Sequence, residues 1–247
     1  MKIFLKGFCI GLLCMSLLGL LWFLVIQPGL TNREAQDLKE GYAQPLPGEF
    51  SGEIPAGKEQ AASLVNLSAL QAEYPDIQGW ISIPGTCVDY PVLQSSADEP
   101  EYYLRRTYKG ERRTAGSIFF QWDCSPESKN LVVYGHNMND GTMFAVLQKM
   151  ADEAFRKEHS QILLQTSDGL REYQVAAVLK TDIQKLPFNR TEFADDGDFL
   201  SFQEELFAQS LYKPETIPGA GRRLLTLVTC SYEWESARTV VVAAEVR

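Results

Sequence analysis

From Gly79 onward, apolar residues gather in short runs separated by Gly, Pro, Asp and Asn, a spacing of strands rather than helices. Eight runs stand out: Trp80–Ile83, Val88–Leu93, Ser117–Trp122, Leu131–Tyr134, Gln161–Gln165, Tyr173–Leu179, Leu224–Val228 and Thr239–Val246. Many short strands in succession suit a sheet that closes, or nearly closes, on itself. Two stretches interrupt them with helical periodicity, Thr142–Lys157 and Gly197–Tyr212. In the second, apolar residues at Phe199, Phe202, Leu206 and Phe207 form one face, as in a helix resting on a sheet. Before Gly79, Ala61, Leu64, Val65, Leu67, Leu70 and Ala72 predict an amphipathic helix within 58–74.

The first residues read differently. Lys2 and Lys6 precede an uncharged, apolar stretch from Gly7 to Ile26. About 20 apolar residues at 1.5 Å each match the roughly 30 Å of bilayer hydrocarbon. The stretch is longer than the usual signal-peptide core, and no Ala-x-Ala-like site follows it, so an uncleaved anchor is expected. The leading lysines then predict a cytoplasmic tip and a single-pass protein of the cell membrane with its bulk outside. Three units follow: residues 1–27 as tip and anchor, 28–57 as a stalk broken by Pro28, Gly29, Pro45, Pro47, Gly48 and Pro55, and 58–247 as an extracellular catalytic domain. A short helix within 31–40 is compatible with the stalk.

Charge and cysteine content narrow the function. The formal net charge is −9, without a Lys/Arg-rich tract, which argues against nucleic acid as a partner. Of the five cysteines, Cys87, Cys124 and Cys230 lie beyond the apolar stretch, an odd number that leaves at least one free thiol. A Cys87–Cys124 bridge is open. No Cys-x-x-Cys or His-x-x-x-His spacing occurs, so no metal and no cofactor are expected.

Three side chains carry the candidate chemistry. Cys230 closes the run Leu224–Val228, Arg238 opens the run that follows it, and His136, one of two histidines in the chain, ends the run Leu131–Tyr134. A thiol needs an imidazole to take its proton, and an arginine supplies a fixed positive charge where an oxyanion develops. Together they predict a cysteine acyl-transfer site. The other histidine, His159, follows Arg156-Lys157-Glu158 and reads as a surface or capping residue. Asp140-Gly141 is a turn signal. Glu233 and Glu235 read as solvent-facing, and Tyr134 as a pocket or barrel residue.

Thr226-Leu227-Val228-Thr229-Cys230 fits the T-L-x-T-C signature of sortases, the cysteine transpeptidases of Gram-positive bacteria. Gly79–Thr86, Asp89–Gln94, Tyr102-Tyr103-Leu104, Ala115–Phe119, Tyr134–Met138 and Asp140–Phe144 follow in order and resemble class B. The resemblance implies a mainly β fold with helical insertions: an eight-stranded barrel with N-terminal helices and a helix between strands 6 and 7. It further implies Cys230 as nucleophile, His136 as its imidazole partner and Arg238 as the oxyanion or substrate-orienting cation. Leu104, Val228, Thr229, Leu186 and Phe188 would contact the substrate, with the 181–193 loop as the far wall of the pocket.

By the same resemblance, a sorting signal on a surface protein is cut after a Thr through a thioacyl enzyme. The acyl group then passes to an amine of a cell-wall precursor or of a pilin lysine. Some class B members contact an Asn-Pro-Gln-Thr-Asn-like signal through an Asn and a Ser at places held here by Pro100 and Val228. Two other classes compete: a cysteine peptidase or L,D-transpeptidase acting on peptidoglycan, and a non-catalytic membrane-anchored binding domain. The first places its cysteine in a Gly-rich motif close after the histidine, and the second has no use for Cys230, His136 and Arg238 together.

Overall fold

Strands β1 (Ile77–Ser82), β2 (Asp89–Gln94), β3 (Ile118–Phe120), β4 (Asn130–Tyr134), β5 (Gln161–Thr166), β6 (Gly169–Thr181), β7 (Leu224–Cys230) and β8 (Arg238–Glu245) close into one barrel in the order β8-β6-β5-β1-β2-β3-β4-β7. The computed structural model describes residues 11–19, 27–44, 64–213 and 217–246. Six neighbouring pairs are antiparallel, and two, β2–β3 and β4–β7, are parallel. The apolar runs predicted from sequence coincide with these strands. Their side chains alternate between two cores, as strand geometry requires. Leu131, Val133, Leu225, Leu227 and Val241 fill the barrel interior, whereas Val132, Val228, Val240 and Val242 face outward.

Helix α4 (Asp196–Ala208), between β6 and β7, covers that outward face. Asp195 caps it by accepting a hydrogen bond from the Asp198 amide at 2.8 Å. Phe199, Phe202, Leu206 and Phe207 are buried beneath it. Each such side chain contributes about 1.5–3 kcal/mol of transfer free energy, which fixes the helix to the wall.

Helix α1 (Gln27–Gly41) lies within the segment expected to be a stalk, and it packs on the barrel through buried Ala35 and Leu38. Lys39 pairs with Asp89 at 2.7 Å, and the Tyr90 hydroxyl donates to Asn32 at 2.6 Å. Helix α2 (Leu67–Glu73) is shorter than expected, because Leu64–Val65 instead form a two-residue antiparallel ladder with Ala43–Gln44. The rest of the expected stalk and of the expected 58–74 helix, residues 45–63, lies outside the described residues. The helical stretch after His136 splits into a 3-10 helix, Ala145–Ala151, and α3 (Glu153–Glu158), because Asp152 accepts from the Phe155 amide and starts a new helix. His159 ends α3 as a buried cap whose Nδ1 lies 3.0 Å from the Pro84 carbonyl.

The membrane expectation is corrected. Among the described residues, no helix is long and apolar enough to cross a membrane. Residues 11–19 are helical. Helix α1, with 15 residues, rises only about 22 Å and carries Arg33, Glu34, Asp37, Lys39 and Glu40. Residues 1–10 and 20–26 lie outside the described residues.

Candidate active site

Cys230 is the last residue of β7 and Arg238 the first of β8, and the two are directly paired. Opposed residues of an antiparallel pair project to the same face, so thiol and guanidinium share one side of the wall. The parallel pair β4–β7 sets Tyr134 beside Val228, and the Gly135 amide donates to the Val228 carbonyl at 3.1 Å. Two positions past the end of β4, His136 lines the same cavity as Cys230 and Arg238. Period-two alternation puts all three on the outward face, on the same side of the sheet as Val132, Val228 and Val240.

The strand continues from His136 into the Asp140-Gly141 turn and folds back. The Phe144 amide donates to the His136 carbonyl at 2.9 Å, and Asn137 bridges Met143. This hairpin holds the histidine backbone in place.

Above the three residues lies a cavity of about 780 Å³. One side is formed by Pro100, Leu104, Phe119, Gln121, Tyr134 and Val228, the other by Ile183 and residues 189–192. Tyr134 therefore lines the pocket, with its hydroxyl donating to Gln121 at 2.8 Å. Gln121 in turn donates to the Asn189 carbonyl at 2.9 Å and ties the two sides together.

The His136 Nε2 lies 2.7 Å from the Leu104 carbonyl. A carbonyl oxygen only accepts, so Nε2 carries the proton and Nδ1 of the neutral ring keeps its lone pair. Burial holds the imidazole below the usual histidine range, outweighing the Leu104 bond, and the nearby Arg105 charge lowers it further. Near neutral pH the ring is a base with a free acceptor nitrogen. Arg238 is half-buried and donates from Nη1 to the Ala237 carbonyl at 2.9 Å.

Two amides that carried no clear sequence signal fix the end of β7. Asn137 and Gln148 donate to the Cys230 carbonyl at 3.1 and 3.0 Å. Asn137 sits in the recognisable Tyr134–Met138 run, whereas Gln148 belongs to a short 3-10 helix with nothing to mark it. On the inner rim, Lys180 donates to Ser231 at 2.7 Å and pairs with Glu233 at 2.7 Å. Glu233 is exposed, as expected, and is also a partner in this network. Hydrogen bonds from Lys180 and then Ser231 hold its carboxyl down at about 2. Cys87, Cys124 and Cys230 are all free thiols, so the open Cys87–Cys124 bridge is not formed.

Of the residues expected to contact substrate, Leu104 and Val228 line the cavity, and Leu186 and Phe188 do not. Both are buried with α4 in the outer core. The cause is the turn at Asp182, whose carboxylate accepts from the Gln184 and Lys185 amides at 3.1 and 3.0 Å and folds the following apolar residues inward. Thr229 borders the cavity, but its side chain is buried and, one residue from Cys230, faces the barrel interior.

A closed barrel with a thiol, a neutral imidazole and a guanidinium lining one cavity at its wall defines a class of enzyme that works through a cysteine. The Sortase domain family matches residues 81–246. The chain is 35% identical to Sortase B of Listeria monocytogenes over 194 residues, covering 74% of this chain and 78% of that protein. Sortase B of Staphylococcus aureus is 34% identical over 192 residues, covering 75% and 77%. Among solved structures, a Bacillus anthracis protein similar to sortase B superposes with a TM-score of 0.71 at 34% identity, over 87% of this chain and 93% of that one. The substrate complex of Staphylococcus aureus sortase B gives 0.67 at 32%, over 73% and 84%. This chain belongs to the sortase family, in its class B, and is a cysteine transpeptidase.

Proposed function

We propose that Cys230 is the nucleophile, His136 its proton carrier and Arg238 the cation that faces the developing oxyanion, in the cleavage of a polypeptide sorting signal after a Thr. The pairing of Cys230 with Arg238 across β7 and β8, with His136 lining the same cavity, is the observation that carries this reading. In the first half, the thiol proton passes to the free imidazole nitrogen and the thiolate attacks the Thr carbonyl. The tetrahedral intermediate collapses as the imidazolium protonates the departing amine, leaving a thioacyl enzyme. In the second half, an incoming amine attacks the thioester and gives a proton to the imidazole, and the expelled thiolate takes that proton from the imidazolium. The products are a new amide and the original enzyme.

The substrates are a surface protein bearing the signal and an amine of a cell-wall precursor or of a pilin lysine. A Staphylococcus aureus sortase B has been solved with its substrate, and the likeness to that complex supports a peptide ligand for this cavity. Pro100 and Val228 present apolar surface where some class B members offer an amide and a hydroxyl. Signals with a smaller or less polar residue than Asn-Pro-Gln-Thr-Asn at those contacts therefore suit this pocket better. Incubation with a peptide library, followed by mass spectrometry of the protein, tests the reading. A thioacyl adduct on Cys230 is the expected result. Cleavage that persists in Cys230→Ala would refute it.

A further inference from the structure

Beside the active-site cavity lies a second cleft of about 600 Å³, lined by four arginines, Arg105, Arg106, Arg112 and Arg113. The two cavities share Glu101, Leu104 and Arg105, so they adjoin. In a chain of net charge −9, this is a strong local excess of positive charge. The arginines are not equivalent. Arg113 forks onto Glu34 of α1 and is neutralised there. Arg106 stacks on the Tyr102 ring at 4.2 Å, which orients its plane and leaves its N–H edge open. Among the described residues, the exposed side chains of Arg105 and Arg112 have neither a hydrogen bond nor an ion pair. The backbone bridge between Arg106 and Arg112 holds two of the three available cations on facing segments.

We infer that this cleft is an auxiliary docking site for acidic residues that flank the cleaved segment of the polypeptide substrate. The inference rests on reading the adjoining cavity as the peptide site. Exposed guanidinium–carboxylate pairs are individually weak, and an isolated small anion gains little from them. A carboxylate tethered to a peptide already seated in the neighbouring cavity arrives at high effective concentration, which turns weak pairs into a usable preference. The chain's negative charge elsewhere repels acidic segments, so the cleft also selects the direction in which such a substrate lies. Glu101, at the junction, disfavours a carboxylate there and pushes the preferred acidic positions outward toward Arg106 and Arg112.

The test uses Cys230→Ala protein, which cannot be acylated, and fluorescein-labelled Asn-Pro-Gln-Thr-Asn peptides carrying four Glu or four Gln at either end. At about 20 mM NaCl, a Glu extension at one end is expected to lower Kd about 10-fold relative to its Gln counterpart. Roughly 0.5 M NaCl, where the screening length shrinks to a few ångströms, should abolish the difference, and Arg112→Glu should abolish or reverse it. Equal Kd values for Glu and Gln peptides at both ends, no binding of either, or a preference that survives Arg112→Glu would overturn the inference. So would pyrophosphate binding without a Glu preference, which assigns the cleft to a phosphorylated ligand. A preserved Glu preference with no thioacyl adduct on the wild-type protein from any member of the peptide library would instead refute Cys230 as the nucleophile.

Discussion

A neutral, buried imidazole has consequences that can be measured one residue at a time. Burial lowers the His136 proton affinity, so its ring should titrate below the ordinary histidine value of about 6.5. With only two histidines in the chain, NMR resolves the ring signals, and His136→Gln identifies the resonance. A midpoint at or above 6.5 would contradict the burial argument. The unfolded chain binds this proton more readily than the folded one, so His136 weakens the fold as pH falls through about 6.5 toward the lower native value. Urea midpoints measured down that range should fall less in His136→Gln than in wild type. Arg238 offers a different readout. If its planar fork meets the oxyanion, Arg238→Lys should reduce kcat by about 100-fold with KM little altered. A raised KM with unchanged kcat would move Arg238 to ground-state binding of the signal.

At the scale of elements, the site depends on how closely β4 approaches its neighbours. Gly135 separates the pocket residue Tyr134 from His136, and a Cβ there would sit 2.4 Å from Ile118 Cδ1 and 2.7 Å from Phe144 Cδ2. Neither neighbour has room to move, since both are buried in the barrel interior. Gly135→Ala should therefore displace the end of β4, costing about 1–3 kcal/mol of stability and dropping activity more than tenfold as His136 moves relative to Cys230. Calorimetry and turnover measured on one sample check both effects, and a variant with native melting temperature and native turnover would show that the strand end tolerates the methyl. Gly116 guards the other side of the histidine. Its φ of +56° suits glycine, and a Cβ would lie 2.3 Å from the Leu104 carbonyl oxygen, the acceptor of the His136 bond. Two glycines thus bracket one imidazole.

Across the whole molecule, strand positions were legible because β-branched and aromatic runs between turn residues have few alternatives. The helix between β6 and β7 was legible from Phe199, Phe202, Leu206 and Phe207, which only a 3.6-residue period brings to one face. Cys230, His136 and Arg238 were singled out by their places at the ends of runs, and the fold brings them to one cavity. What escaped depended on three dimensions. Leu186 and Phe188 are apolar and near the pocket in sequence, but the Asp182 turn sends them into the core. Gln148 gains its importance from a hydrogen bond to a strand end far along the chain. Helix α1 was legible over 31–40, and only its earlier start was hidden, by Pro28 and Gly29, which a first helical turn tolerates. The apolar content near the N-terminus suggested a span that no described helix provides.

Cys230 and Arg238 are joined by a short loop, but His136 reaches them only through β4–β7, a parallel pair between strands distant in sequence. Pairings of this kind close late, because the loop entropy must be overcome before any contact repays it. Until then Cys230 has no imidazole in its cavity. If His136 is the proton carrier proposed for Cys230, the chain gains its acyl-transfer chemistry only when the barrel shuts. Reactivity of Cys230 toward an alkylating agent, followed during refolding, is therefore a clock for barrel closure: it should rise with the last kinetic phase and not with the first gain of β structure.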